Sequence, residues 1–354
     1  MSNKVLMKGN EAVGAAAIKA GCKYYFGYPI TPSSEIPEYM SKALPEAGGV
    51  FLQAESEVSA INMVYGAGGA GARCMTASSS PGISLKQEGI TYIAGAEVPC
   101  VIVNMMRSGP GLGGIQPAQA DYYQSTRGGG NGDYRTLCYA PASIQEIVDL
   151  VMLAFDKADY YRNPVLVVAD GMIGQMMEAV EFKEPAPIEL PEKDWATTGT
   201  GGKRKPNVIN SLYLAAEDLQ NHNKKLLKKY ELMEQNEVLY EAYGLEDAEV
   251  VLVAYGTTSR IVKTAMKQAE KKGIKVGIIR PISLWPFPYE IFKTIGKNVK
   301  GVLTVEMSAG QMLDDVKIAV EGRMPVHFNG TQGGMVPTPA SILADIEKIA
   351  GGIK

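Results

Sequence analysis

Three consecutive stretches decide the fold: Cys100–Met106 (CVIVNMM), Ser143–Tyr160 (SIQEIVDLVMLAFDKADY) and Pro164–Asp170 (PVLVVAD). The first and last are continuous apolar runs of strand length, as expected for strands covered on both faces. Between them, Ile144, Ile147, Val148, Val151, Met152 and Phe155 fall on one helical face, and Ser143 with Glu146 forms a capping box. Strand, helix and strand in that order predict a parallel sheet covered by helices, hence α/β architecture.

Working outward, short apolar runs alternate with Ala/Gly-rich helical stretches from Lys4 to about Met177, which makes residues 1–180 one domain. Glu181–Arg204 shifts towards Pro, Glu, Thr and Gly and reads as a linker. Asn210–Tyr243 reads as helix, with Leu212, Leu219, Leu226, Met233 and Tyr240 spaced by sevens and Lys224, Lys225, Lys228 and Lys229 on a solvated face. That seam lines either a helix hairpin in this subunit or a contact with another chain. The linker and helical segment together span 181–248. Beyond it, Val250–Ala254, Lys275–Ile279 and Gly301–Val305 are strand runs and Thr258–Lys272 a helix, so a second doubly wound α/β domain fills 249–354.

The chain has 354 residues, with 35 Lys and Arg against 38 Asp and Glu, and its net charge of -3 offers no footprint for nucleic acid. Met1–Gly21 is interrupted by Lys4, Lys8, Glu11 and Lys19, unlike a signal peptide, and no run of about 18 apolar residues follows. A cytoplasmic protein without a membrane segment is expected. Cys22, Cys74, Cys100 and Cys138 form no Cys-x-x-Cys pair and the histidines are His222 and His327, so buried thiols are expected rather than a metal or cluster site.

Gly66, Gly68 and Gly71 match G-x-G-x-x-G, but Glu55–Tyr65 before them reads as helix and no acid stands about twenty residues beyond. Close packing of a helix end is the better use of these glycines. Gly202-Lys203 lacks the neighbours of a P-loop. Tyr28–Ser34 (YPITPSS) is a stiff turn in which Pro29 and Pro32 fix φ and Ser33 or Ser34 caps a helix starting near Glu35. Its hydroxyls beside a helix N-terminus also suit an anionic group. Glu55 and Glu57 point to different sides of a helix, so at most one need face a pocket, and a helix-end carboxylate bonded to backbone explains either. Arg107 closes the apolar strand at the edge where open α/β sheets bind ligands, and Ser108–Gly114 after it must be loop. A surface ion pair and a bidentate carboxylate clamp both fit that arginine.

Taken together these motifs resemble the alpha subunits of 2-oxoacid:ferredoxin oxidoreductases, which depend on thiamine diphosphate. The YPITPSS turn, Ser56–Arg73 (SEVSAINMVYGAGGAGAR) and the strand ending in Arg107 resemble the family's pyrimidine-binding domain. Arg280–Pro288 (RPISLWPFP) and Glu306–Gln311 (EMSAGQ) resemble its transketolase C-terminal-like domain. Gly109–Asp121 (GPGLGGIQPAQAD), with the later GGGNGD ending at Asp133, is most similar to the branched-chain, 2-oxoisovalerate (ketovaline) type.

The resemblance implies that Glu57 is the catalytic glutamate at N1′ of the aminopyrimidine, with Tyr28 and Pro29 also at the cofactor. It implies that Thr31 and Arg107 hold the substrate. The implied activity is oxidative decarboxylation of a branched-chain 2-oxoacid to its acyl-CoA, with coenzyme A as co-substrate and electrons passing to ferredoxin. Arg127 or Arg135 can supply a second cation, so 2-oxoglutarate stays open, as do pyruvate and a non-catalytic assembly role. The chain lacks Gly-Asp-Gly followed about thirty residues later by Asn-Asn, the usual thiamine-enzyme signature for Mg2+ and diphosphate. The resemblance therefore implies a beta subunit carrying the diphosphate and Mg2+ site, and gamma and ferredoxin-like subunits carrying 4Fe–4S clusters.

Overall fold

The computed structural model describes residues 4–183 and 188–352. Its strands are β1 (Val5–Lys8), β2 (Tyr24–Gly27), β3 (Val50–Gln53), β4 (Cys74–Ser78), β5 (Cys100–Met106), β6 (Leu137–Tyr139), β7 (Pro164–Asp170), β8 (Met177–Val180), β9 (Tyr240–Tyr243), β10 (Val250–Val253), β11 (Val276–Pro281), β12 (Ser283–Trp285), β13 (Gly301–Glu306) and β14 (Val326–Gly330). A seven-stranded sheet runs β12-β6-β7-β5-β4-β2-β3, a five-stranded sheet runs β14-β13-β10-β11-β9, and β1 pairs with β8. β5 and β7 lie side by side in parallel from Cys100 opposite Pro164 to Met106 opposite Asp170. Every residue of both is buried, which is why the two runs show no alternation.

The helix Ile144–Tyr161 buries all six predicted face residues. Its capping box is half made. Ser143 Oγ accepts from Glu146 N at 3.1 Å, whereas Glu146 Oε2 accepts from Ala142 N at 2.8 Å and is also held by Arg280. The helix Glu35–Glu46 has Ser34 at its N-cap without a side-chain bond, and Ser33 Oγ instead donates to Ile30 O at 2.8 Å. Gly68 packs as expected: a Cβ there would lie 2.5 Å from Val98 Cγ1 and 2.9 Å from the Pro99 carbonyl oxygen.

The expected helix over Asn210–Tyr243 is shorter, Ala216–Asn236, and Tyr240 lies in β9. The seven-residue seam does not form, because Leu212 is 71% exposed while burial follows Leu226, Tyr230 and Met233, a spacing of four and three that turns one helical stripe to the core. Nor is the lysine run wholly solvated. Lys225 and Lys229 both bond the carboxylate of Glu97, and burial pulls the Lys229 ammonium down to about 8, partly offset by Glu97.

The two sheets trade edges. β9 pairs antiparallel with β11, and β12, which follows β11, crosses back to pair with β6 in the first sheet. Gln119 pins the junction: it is fully buried, its Nε2 donates to Tyr255 O at 2.9 Å, and its Oε1 accepts from Thr258 Oγ1 at 2.7 Å. Arg280, 1% exposed, forks onto Glu146 at 2.8 Å through both terminal nitrogens and reaches Glu241 through Nε at 3.0 Å. Burial would raise the Glu241 carboxyl, but the bonds from Arg280, Tyr243 and Lys263 more than offset it and hold it at about 2. That stabilisation is full above the ordinary value of 4.5 and is lost as pH falls towards 2. Arg280→Ala is expected to cost about 3 kcal/mol, the lower end for breaking a buried pair because both carboxylates keep some water. Denaturant unfolding at pH 7 and again near pH 3 measures it, and the cost should shrink in acid.

One hydrophobic cluster centres on the first sheet and continues through Val251 and Ile279. A second sits between the five-stranded sheet and the helices Gly256–Lys271 and Pro339–Ala350. Among the described residues no helix is long and apolar enough to cross a membrane.

Candidate active site

Four parallel strands deliver their next residues to one edge of the first sheet: β2 leads to the Tyr28–Ser34 turn, β3 to Glu57, β4 to Ser79–Gly82 and β5 to Arg107. Outside the carboxyl ends of such strands is where open α/β sheets receive ligands.

Glu57 opens the helix Glu57–Gly69, whose N-cap, Ser56, accepts from Ser59 N through its hydroxyl. The Glu57 side chain is therefore not needed as a cap. It is 7% exposed, and its carboxylate receives no hydrogen bond from the described residues. Gly82 makes the room: a Cβ there would stand 2.9 Å from Glu57 Oε1 and 2.1 Å from Ser78 Oγ. Glu55, in contrast, is exposed and bonded to Ser59 Oγ.

Arg107 is also 7% exposed. Its Nη1 donates to Thr31 O at 2.9 Å, its Nη2 to Leu112 O at 3.0 Å, and its Nε is buried without a partner. The guanidinium thus ties the YPITPSS turn to the Ser108–Gly114 loop and leaves its Nε–H unspent. Thr31 meets Arg107 through its backbone carbonyl, while Tyr28, Pro29 and the Thr31 side chain stay exposed on the turn. Asn10, fully buried, braces that turn by donating to Pro32 O at 2.8 Å and to Glu35 Oε2 at 2.8 Å.

Ser80 is held at φ 21°, a positive value seldom adopted by residues with a side chain. Its amide donates to Asn104 Oδ1 at 3.1 Å and its hydroxyl to Asp121 Oδ2 at 2.6 Å, which Asn104 Nδ2 also reaches at 2.8 Å. Burial raises the Asp121 carboxyl, opposed by those two bonds. This network fixes the entrance to a cavity of about 820 Å³ between the domains, walled by Pro81, Leu85 and Pro110 on one side and Met307 and Ala309 on the other. Arg107 and Asp121 are its charged lining residues among those described. Glu57 does not line it; the turn Pro81–Gly82 stands between them.

Arg127 and Arg135 lie elsewhere, on a separate cavity of about 800 Å³ beside Trp285 and Tyr289. Arg127 is spent on Asp315 at 3.0 Å, a carboxylate that also accepts from Tyr122 and Tyr289 at 2.6 Å each. The cysteines are all buried and free, and burial pushes the Cys22 thiol up to about 12. No group of three or more His, Cys, Asp or Glu suited to a metal occurs among the described residues.

Asn104 carried a sequence signal as the polar residue inside CVIVNMM, and so did Lys86, which stands on the buried stripe between Ile83 and Ile90. Asn10, Ser80 and Gln119 carried none, because their partners are distant in the sequence.

Residues 15–242 match the family described as "Pyruvate flavodoxin/ferredoxin oxidoreductase, thiamine diP-bdg", and residues 248–342 match "Pyruvate:ferredoxin oxidoreductase core domain II". The chain is 51% identical to the ketoisovalerate oxidoreductase subunit VorB of Methanothermobacter marburgensis over 98% of both chains. It is 36% identical to the 2-oxoglutarate synthase subunit KorA of Methanocaldococcus jannaschii over 95% of this chain and 97% of that one. The solved 2-oxoglutarate:ferredoxin oxidoreductase of Magnetococcus marinus, with 2-oxoglutarate, coenzyme A and succinyl-CoA bound, superposes with a TM-score of 0.88 at 25% identity, covering 99% of this chain and 66% of that one. An inactive split-gene transketolase, at 15% identity and a TM-score of 0.59, shares the fold. The chain therefore carries the thiamine-diphosphate-binding domain of an oxidoreductase subunit, followed by a second core domain. Within that class, the chain belongs to the 2-oxoacid:ferredoxin oxidoreductase family.

Proposed function

We propose that this chain supplies the aminopyrimidine half of the thiamine diphosphate site in a branched-chain 2-oxoacid:ferredoxin oxidoreductase. The complex would convert 2-oxoisovalerate and coenzyme A to the acyl-CoA and pass electrons to ferredoxin. One observation carries the reading: a buried carboxylate without a hydrogen-bond partner among the described residues, Glu57, and a buried guanidinium with an unspent N–H, Arg107, flank the same turn at the sheet edge. Those residues fit the coenzyme, because an unpaired buried acid at a glycine-cleared surface can bond a ring nitrogen. When bound, thiamine diphosphate supplies a nucleophilic carbon and an electron sink for decarboxylation.

Glu57 then hydrogen-bonds N1′ and holds or releases one proton there. Arg107 offers its free N–H to the carboxylate or oxo group of the substrate, a charge-assisted bond in poorly hydrated surroundings. Thr31, Tyr28 and Pro29 present the turn that Arg107 anchors, Thr31 to the substrate and the other two to the coenzyme. A beta subunit would contribute the diphosphate and Mg2+ half, and gamma and ferredoxin-like subunits the 4Fe–4S clusters.

The branched-chain assignment is supported by the cavity, whose lining surface is mostly apolar and whose cation among the described residues is Arg107, with Arg127 and Arg135 on another cavity. A second carboxylate there would meet no second cation among the described lining residues and would share the cavity with Asp121. In the assembled complex, kcat/KM for 2-oxoisovalerate should exceed that for pyruvate by roughly tenfold or more. It should exceed that for 2-oxoglutarate by roughly a hundredfold. Preference for 2-oxoglutarate would overturn the assignment.

A further inference from the structure

The helix Pro81–Gly95 carries Gly82 against the Glu57 carboxylate, and one turn further on the same face it carries Lys86. Lys86 is 0% exposed, and its Nζ has no hydrogen-bond partner among the described residues. A lysine buried whole and unbonded is costly, and on a stripe between Ile83 and Ile90 an apolar side chain would pack as well. Burial pulls its ammonium down to about 8, and the charge opposing that fall is Glu57. The lysine and the glutamate therefore compensate one another across the space that Gly82 opens. The Ser78 hydroxyl beside that space is likewise buried and unpartnered.

We infer that Lys86 is a positioning residue for the thiamine reaction: its buried ammonium, one turn from Gly82, orients the Glu57 side chain across the space beside that glycine for its hydrogen bond to N1′. The inference rests on the proposed coenzyme role of Glu57. A positive charge behind a carboxylate stabilises the form in which that carboxylate accepts a hydrogen bond, and low local polarity magnifies the effect. Lys86 does not touch the substrate, because it is absent from the lining of the cavity that Arg107 faces.

Lys86→Met and Lys86→Arg, each in the assembled complex, test this alongside Glu57→Gln. Methionine keeps the length and suits the apolar stripe, so assembly should survive. The readouts are the dissociation constant of thiamine diphosphate, the rate at which bound coenzyme exchanges its C2 proton for deuterium, and KM for 2-oxoisovalerate. Lys86→Met is expected to slow exchange by roughly tenfold or more, with the substrate KM unchanged. Lys86→Arg should recover most of the rate. Wild-type exchange in Lys86→Met, while Glu57→Gln is slow, overturns the role of Lys86 and leaves that of Glu57 standing. Loss of assembly in both lysine variants also overturns it, in favour of a packing role. A wild-type complex that binds no thiamine diphosphate removes the proposed function and this inference together.

Discussion

Glu57→Gln is expected to lower kcat of the reconstituted complex by about 10²–10⁴-fold, the range associated with loss of one general acid–base group. Glutamine has the same shape and can still bond a ring nitrogen, but it cannot take up or release the proton. Water is a poor substitute, because the side chain is buried against Gly82 and Ser78. Folding and assembly should be untouched: Ser56 caps the helix on its own, and no described residue hydrogen-bonds the Glu57 carboxylate. The measurement is steady-state turnover alongside the complex's elution profile and thiamine diphosphate affinity. Turnover within a few-fold of wild type, with coenzyme bound, would remove Glu57 from its assigned position.

The parts of this fold that were legible in the sequence are those where burial acts on both sides of an element. Cys100–Met106 and Pro164–Asp170 appear as strands with the bounds read from their apolar runs, since each residue there meets core above and below. The helix between them was equally plain, because six apolar positions repeat with helical spacing. Edge strands escaped. β9 and β12 are short and are defined by which distant strand they pair with, β11 and β6 respectively, which no local pattern encodes. The seven-residue spacing from Leu212 to Tyr240 misled for a related reason: a period chosen from five residues ignores Tyr230, whose burial shows the stripe that faces the core.

The candidate site divides along the same line. Arg107 stood out as a charge closing an apolar strand, whereas Glu57 was set apart from Glu55 only by its place in the resembling Ser56–Arg73 motif. What positions them was less visible. Ser80 reaches Asp121 and Asn104 across loops, and Arg107 reaches two carbonyl oxygens from different segments. Side chain to backbone bonds of that kind place no demand on the partner's identity, so Thr31 and Leu112 bear no mark of accepting them.

Arg107→Ala follows from those two carbonyls as much as from the free N–H, and its expected result is a fall in kcat/KM of about 10²–10³-fold. Most of this should appear as a higher KM for the 2-oxoacid, because the charge that offsets the substrate's carboxylate is lost in ground state and transition state alike. A part should appear in kcat, because releasing Thr31 O and Leu112 O frees the turn and the loop that border the site. Arg107→Lys separates the two contributions. Lysine restores the positive charge as a point donor without the planar fork, so it cannot bond both carbonyls and still present a directed N–H. Lysine should therefore recover the KM further than the kcat. Asn104 and Asp121 hold Ser80 by their own bonds, so neither variant should disturb the opposite wall of the cavity or the binding of thiamine diphosphate. If alanine instead leaves KM within twofold of wild type and lowers only kcat, Arg107 acts by bracing the loop and the substrate's carboxylate must be held by a group on a partner subunit.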